Sequence, residues 1–261
     1  MASIDADSSA AGVSAVGAGT QAAPPSGRRL LRAARRHLAI VGSVVEVATS
    51  DPVVVMTFDD GPQPGGTDAV LNVLAGHRAS ATFFVLLSRV RRHPGLLADI
   101  VAAGHEIALH GPDHRSLTGL AYREICTRTR DARAELEDRA DRPVRWIRPP
   151  YGRQTLRSWH AVRRAGLVPV MWSASTRDSR HVSDGERLES AARATRGSIV
   201  LAHDGFADRT DGADDGPAPQ VDRKNLVHRV LNEYQSRGLR ARSLTDALAT
   251  GSAVRAAWFG R

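Results

Sequence analysis

Short apolar runs rich in Val, Ile and Leu alternate along this chain with longer stretches whose apolar positions recur at helical spacing. The runs predict strands at 53–58, 81–87, 105–109, 144–147, 168–172 and 198–202, with a weak last one near 239–242. The helical spacing predicts helices at 67–76, 94–103, 116–140, 154–165, 186–196 and 221–237. Thr67-Asp68 is expected to cap the first helix, and Gly104, Gly166, Gly197 and Gly238 to stop four others. Repeated β-α alternation implies parallel strands with helices outside. No internal repeat of solenoid type is present. The chemically capable residues fall at or just after the C-terminal ends of strands, the face on which closed β/α barrels build their sites.

Composition divides the chain into four parts. Residues 1–27 are rich in Ala, Ser and Gly and are expected to be a disordered leader. Residues 28–50 carry the basic segment Arg28 to Arg36 and a lead-in, 51–250 form one catalytic-sized domain, and 251–261 are a tail. Arg28, Arg32 and Arg36 share one helical face, which suits either weak contact with an anionic membrane surface or a solvated leader. The apolar stretch Leu38 to Val45 is far short of the ~20 residues that span a bilayer. It also lies behind a polar leader, unlike a signal peptide, so the expected location is cytoplasmic, with membrane-surface placement or non-standard secretion as alternatives. The net charge of +8 comes almost entirely from Arg, and Lys224 is the only lysine. With no basic stripe interleaved with aromatics, no nucleic-acid partner is expected. The single Cys126 excludes an internal disulfide framework.

Four segments carry chemistry. Val53 to Pro62 is a buried-strand pattern ending in Asp59-Asp60-Gly61-Pro62. Adjacent carboxylates at a strand end are costly unless neutralised, and a divalent cation would take one as ligand and leave the other as a base. The same four residues also suit a solvated turn. His110 and His114 bracket a tight turn and, with Asp60, would make a two-His, one-carboxylate set with positions open for water and substrate. Arg148 cannot lose its proton and would hold a neighbouring carboxylate ionised, while Pro149 and Pro150 fix where the Tyr151 N–H points. His203 closes the apolar run 198–202 and could serve as a general acid, or simply as a hydrogen-bonded rim residue.

Together these segments resemble the polysaccharide deacetylases, carbohydrate esterase family 4 with the NodB-homology domain. Thr57-Phe58-Asp59-Asp60-Gly61-Pro62 matches the first family motif, His110-x-x-x-His114 the second, Arg148-Pro149-Pro150-Tyr151 the third and Leu201-Ala202-His203 the fifth. The resemblance covers Val53 to Leu248. It implies an α/β fold, a distorted and incomplete (β/α) barrel of about seven parallel strands. It also implies Zn²⁺, or another divalent cation such as Co²⁺, on Asp60, His110 and His114, with removal of N-acetyl groups from a carbohydrate. Asp59 would be the base, oriented by Arg148. His203 would be the acid, tuned by Asp178, and the Tyr151 backbone N–H would face the oxyanion. Leu201, Pro150 and position 179 would contact substrate.

Two departures stand out. Gly111 replaces a hydroxyl residue, and the fourth motif survives only as Asp178, with Ser175 and Ser179 where the family has Asp and Trp. Trp172 or a side chain of the 207–220 insertion, which is expected to hang over the barrel mouth, would have to fill the space beside Ser179, or the acyl pocket is wider. Hydrolysis of another non-peptide amide and carbohydrate binding without catalysis are the alternatives.

Overall fold

Strand β2 (Val53–Asp59) is buried at every position, as a central strand covered on both faces must be. Its side chains part by face. Val54, Met56 and Phe58 join the core under the helices, while Val53 and Val55 join a second cluster with Phe84, Ala108, Val170 and Ile199 inside the curl of the sheet. The inward series Val53, Val55, Thr57, Asp59 therefore runs from an apolar floor to a polar mouth. The partner strand repeats the gradient in register, with Val55 opposite Ile199, Thr57 opposite Leu201 and Asp59 opposite His203.

The structure is a computed structural model, and it describes residues 41–213 and 216–260. The predicted leader and the basic segment Arg28 to Arg36 lie outside the described residues. Besides β1 (Ser43–Ala48) and β2, the strands are β3 (Thr82–Leu86), β4 (Glu106–Gly111), β5 (Trp146–Ile147), β6 (Val168–Pro169), β7 (Ala174–Ser175), β8 (Ile199–His203), β9 (Arg240–Arg242) and β10 (Ser252–Ala256). Seven of them run in the order β6-β5-β4-β3-β2-β8-β7, with β9 beside the first half of β2, and every pair in this sheet is parallel. These are the parallel strands that the alternation implies, in the curled, incomplete barrel that the resemblance implies. The helices are α1 (Thr67–Gly76), α2 (Leu87–Arg92), α3 (Pro94–Ala102), α4 (Tyr122–Ala140), α5 (Leu156–Arg164), α6 (Asp184–Ala192), α7 (Arg223–Ser236) and α8 (Leu244–Thr250). Among the described residues no helix is long and apolar enough to cross a membrane.

The sheet path does not close between β6 and β7, and β1 fills that side. The Met171 N–H donates to the Val44 carbonyl at 2.7 Å, and the Val47 N–H to the Gly197 carbonyl at 2.9 Å. Antiparallel pairing of β1 with β10 carries the last part of the chain to the same side. Neither strand stands out in the hydrophobic pattern, because their burial is mixed rather than strictly alternating.

Local chemistry differs from expectation at two points. Gly66, not Thr67, is the N-cap of α1 and makes no side-chain cap bond. The Thr67 hydroxyl is recruited elsewhere, donating to Asp204 and accepting from the Gln63 N–H. Gly104, Gly166 and Gly238 follow helix ends with positive φ, but α6 ends at Ala192, so Gly197 belongs to the entrance of β8 instead.

Gly197 has φ +80°, and a Cβ there would stand 1.9 Å from the Val47 carbonyl oxygen. Gly197→Ala is thus expected to lower stability by roughly 2 kcal/mol or more in urea unfolding, as a strained left-handed residue and a displaced β1 combine. Gly95→Ala in α3, with open space around the added methyl, should be neutral to about 1 kcal/mol stabilising. Equal unfolding midpoints for wild type and Gly197→Ala would contradict the docking of β1.

Candidate active site

The mouth of the curl is built from strand ends and the turns that follow them. Asp59 ends β2, and Asp60 turns the chain with φ 72°, a left-handed conformation that only surrounding structure can hold in a non-glycine residue. The brace is Asp204, the residue after β8. Its carboxylate accepts from the Gly61 N–H at 3.2 Å and from the Thr67 hydroxyl at 2.6 Å. A Cβ on Gly61 would lie 2.0 Å from that carboxylate, so the close approach requires glycine. Burial pushes the Asp204 carboxyl up to about 6.

His110, from β4, and His114, from the turn after it, converge on Asp60. One Asp60 oxygen, Oδ1, lies 3.3 Å from Nε2 of each ring, and one ligand atom from each residue falls within 4.8 Å of the other two. All three side chains are buried. The His110 Nδ1 sits 2.8 Å from the Arg148 carbonyl, which can only accept, so Nδ1 carries a proton and Nε2 is the ring atom turned to Asp60. Burial pushes the His114 imidazole down to about 4, which leaves this ring neutral near pH 7. Burial pushes Asp60 up, but the imidazoles of His110, His114 and His203 outweigh it and hold the carboxyl far below the usual range. Asp60 Oδ1 is buried and accepts no hydrogen bond. An orphaned carboxylate oxygen with Nε2 of two imidazoles turned towards it is a donor set that fits a divalent cation.

Beside this triad, Arg148 reaches from the end of β5 across the interior. Its Nη1 donates to Asp59 Oδ1 at 2.6 Å and to the Thr57 hydroxyl at 2.9 Å, and the guanidinium is fully buried. Nε and Nη2 donate to the Val170 and Met171 carbonyls, and the Phe84 ring lies 4.1 Å below. On the other flank, Asp178 receives the His203 Nδ1–H at 2.7 Å and the His203 backbone N–H at 2.8 Å. Burial pushes the His203 imidazole down, but the Asp178 charge and hydrogen bond outweigh it and carry the ring up to about 9. His203 thus presents Nε2 to the cavity as part of an imidazolium.

Asp59, Asp60, His110, His114, Tyr151, Ser179, Leu201 and His203 all line one cavity of about 1060 Å³. Asp178 and Arg148 stand behind the lining. Pro150, expected to contact substrate, is buried beneath the turn and does not line the cavity. Tyr151 adopts φ 62° and packs edge-on against His114, with ring centroids 4.4 Å apart. The cavity that Ser179 lines has an aromatic wall all the same. Trp172 and Trp258 line the cavity with their rings 5.3 Å apart, and Trp258 Nε1 donates to the Gly152 carbonyl.

Sequence reasoning missed the support behind these residues. Arg89 is buried on α2 and donates to Asp211, the Gln63 side chain and the Phe206 carbonyl. Asp211 is fully buried, also receives Ser88 and Arg92, and takes the His114 N–H on its carbonyl at 2.7 Å. The described part of the 207–220 insertion is therefore pinned over the mouth rather than hanging free. An Asp in a Gly-rich, acidic stretch gives no sign of such burial. Trp258 likewise lies in a segment read only as a tail.

The curled sheet with an acid–histidine site at its mouth defines a class, and comparison with known proteins gives the family. The polysaccharide deacetylase profile matches residues 46–170. The chitooligosaccharide deacetylase of Sinorhizobium fredii is 36% identical over 172 residues, 65% of this chain and 80% of that protein. The peptidoglycan-N-acetylglucosamine deacetylase PgdA of Listeria monocytogenes is 34% identical over 173 residues, 65% of this chain but only 36% of the larger protein. A family 4 carbohydrate esterase from Streptomyces lividans, solved in complex with acetate, superposes with a TM-score of 0.64 at 23% identity, over 79% of this chain and 98% of its own. The chain belongs to the polysaccharide deacetylase family.

Proposed function

We propose that this protein hydrolyses the N-acetyl group of an amino-sugar-containing substrate, releasing acetate and a free amine, with Zn²⁺ held by Asp60, His110 and His114. The observation that carries this reading is the meeting, in one cavity, of that donor set with an Arg-bound carboxylate on one flank and an Asp-bound imidazolium on the other. Zn²⁺ bound there would polarise the acetamide carbonyl and make a water easier to deprotonate. Asp59 removes the proton from the attacking water, and Arg148 fixes the carboxylate so that its other oxygen faces the cavity. The Tyr151 backbone N–H, aimed by the rigid Pro149-Pro150 turn, donates to the carbonyl oxygen as charge develops on it. His203 then gives its Nε2 proton to the nitrogen as the C–N bond breaks, and Asp178 keeps the ring in the matching tautomer. The water supplies the acetate hydroxyl, and the nitrogen leaves as an amine.

Acetate release from an N-acetylglucosamine oligomer by the Zn²⁺-loaded protein tests the reaction. Asp59→Asn should keep the fold and lower turnover by roughly 10²–10⁴. The His203 imidazolium loses its proton as pH rises, so kcat should fall on the alkaline side. Asp178→Asn removes the carboxylate that raises the ring, so this limb should move to lower pH. A limb unmoved in Asp178→Asn, or near-normal turnover in Asp59→Asn, would show these roles to be misassigned.

Acyl selectivity follows from the aromatic wall. Trp172 and Trp258 line the same cavity as Leu201 and Ser179, and we take their rings to supply the apolar wall of the acyl pocket from another part of the chain. Acetyl should be preferred over propionyl by about 10-fold or more, since one methylene in an apolar pocket is worth about 1–3 kcal/mol. Trp258→Ala should erase most of that preference. Equal rates on both acyl groups in the natural protein would show an open pocket instead.

A further inference from the structure

The rim of the cavity has a charge that deacetylation alone does not require. Arg153 follows β5, and Arg177 and Arg180 follow β7; all three are exposed, and all three line the mouth together with exposed His181. The carboxylates that line the same cavity are Asp59 and Asp60, both buried at the floor and held by Arg148 and the imidazoles. Among the described residues none of the three rim guanidiniums has a carboxylate partner at ion-pair distance, the arginines on the same side pairing as Arg187 with Asp184 and Arg193 with Glu189. Elsewhere on this surface arginines near an acid do pair, as Arg115 and Arg128 pair with Asp113.

The Arg153 side chain is held in place, and so is the backbone that carries the other two arginines. The Arg153 guanidinium lies 5.1 Å over the Tyr151 ring, a contact that orients the group without cancelling its charge. Arg177 has φ 55°, its N–H donates to the Ser175 hydroxyl at 3.0 Å, and its carbonyl accepts from the Arg180 N–H at 3.0 Å. The Arg180 carbonyl in turn accepts from Arg187. Two arginines three residues apart are therefore carried on one braced turn, and they line the same cavity as the third.

A neutral sugar gains nothing from such a rim, because water satisfies guanidinium groups equally well. An anionic group gains charge-assisted, forked hydrogen bonds, and the positive mouth steers it in. We propose that the substrate is an acidic glycan, in which a sugar next to the acetylated one carries a carboxylate or a phosphate that Arg153, Arg177 and Arg180 bind. This rests on the deacetylase reading only for the position of the reacting sugar; the anion site stands or falls separately.

The test is binding to full-length, Zn²⁺-loaded Asp59→Asn protein by calorimetry, with three ligands of matched length. One is a neutral N-acetylglucosamine tetramer, one alternates N-acetylglucosamine with glucuronic acid, and one is the neutral tetramer bearing a single phosphate. At low salt at least one acidic ligand should bind about tenfold or more tighter than the neutral one, and salt should shrink the gap. Whichever acidic ligand binds tighter identifies the anion. Arg153→Gln, Arg177→Gln and Arg180→Gln should each reduce the preference by up to about fivefold. Equal affinities, no measurable binding of either acidic ligand, or a preference that survives the triple replacement would overturn the inference. Acetate release by the natural protein is scored separately. Acidic preference without acetate from any ligand would reject the deacetylase reading and leave the anion site, whereas acetate release with no acidic preference would reject the anion site alone.

Discussion

A guanidinium with no exposure to water sits at the centre of this fold, and the site is arranged around it. Arg148 is fully buried, so its charge must be matched inside the protein. Asp59 supplies the countercharge, Thr57 and the Val170 and Met171 carbonyls take remaining donors, and Phe84 lies against the face. Those partners come from β2, β3 and the segment after β6, so one side chain ties the ends of separate strands to a single point. Breaking a buried pair of this kind costs about 3–5 kcal/mol, because the survivor is left uncompensated. Stability and chemistry are thus coupled at Asp59. The residue proposed to move a proton is also the one that keeps Arg148 tolerable in the interior.

The turns around this point are strained, and their supports explain otherwise idle residues. Asp60, Tyr151 and Arg177 all have positive φ, and all three line the cavity. Each such residue costs on the order of 1–3 kcal/mol unless its surroundings fix it. Asp204 holds the turn after Asp60 from the end of the neighbouring strand β8. Arg89 and Asp211 join α2, Gln63, Phe206 and the His114 backbone into one network. Asp60 and His114, two of the three proposed cation ligands, are therefore positioned by buried groups that do not line the cavity.

What could be read from the sequence follows from how each feature is encoded. The parallel sheet was legible because β2, β3, β4 and β8 are buried on both faces and read as unbroken apolar runs. The positions of Asp59, Asp60, His110, His114, Arg148 and His203 were legible because each sits where such a run ends. Strand β7 is two residues long, too short to leave a pattern, while the 144–147 and 168–172 runs contract to Trp146–Ile147 and Val168–Pro169. β1 and β10 take their meaning from each other across most of the chain, and no local window contains that pairing. For the same reason Trp258 could not be placed beside Trp172, nor Asp211 beneath His114.

The central claim is that Asp60, His110 and His114 bind one divalent cation next to Asp59. X-ray absorption at the zinc edge on loaded protein, together with elemental analysis of the same samples, tests it most directly. The account predicts about one Zn²⁺ per chain with scattering from two imidazoles and further oxygen ligands, and loss of the metal in Asp60→Ala and in His114→Ala. Full metal content in both variants, or a zinc spectrum without imidazole scattering, would contradict it.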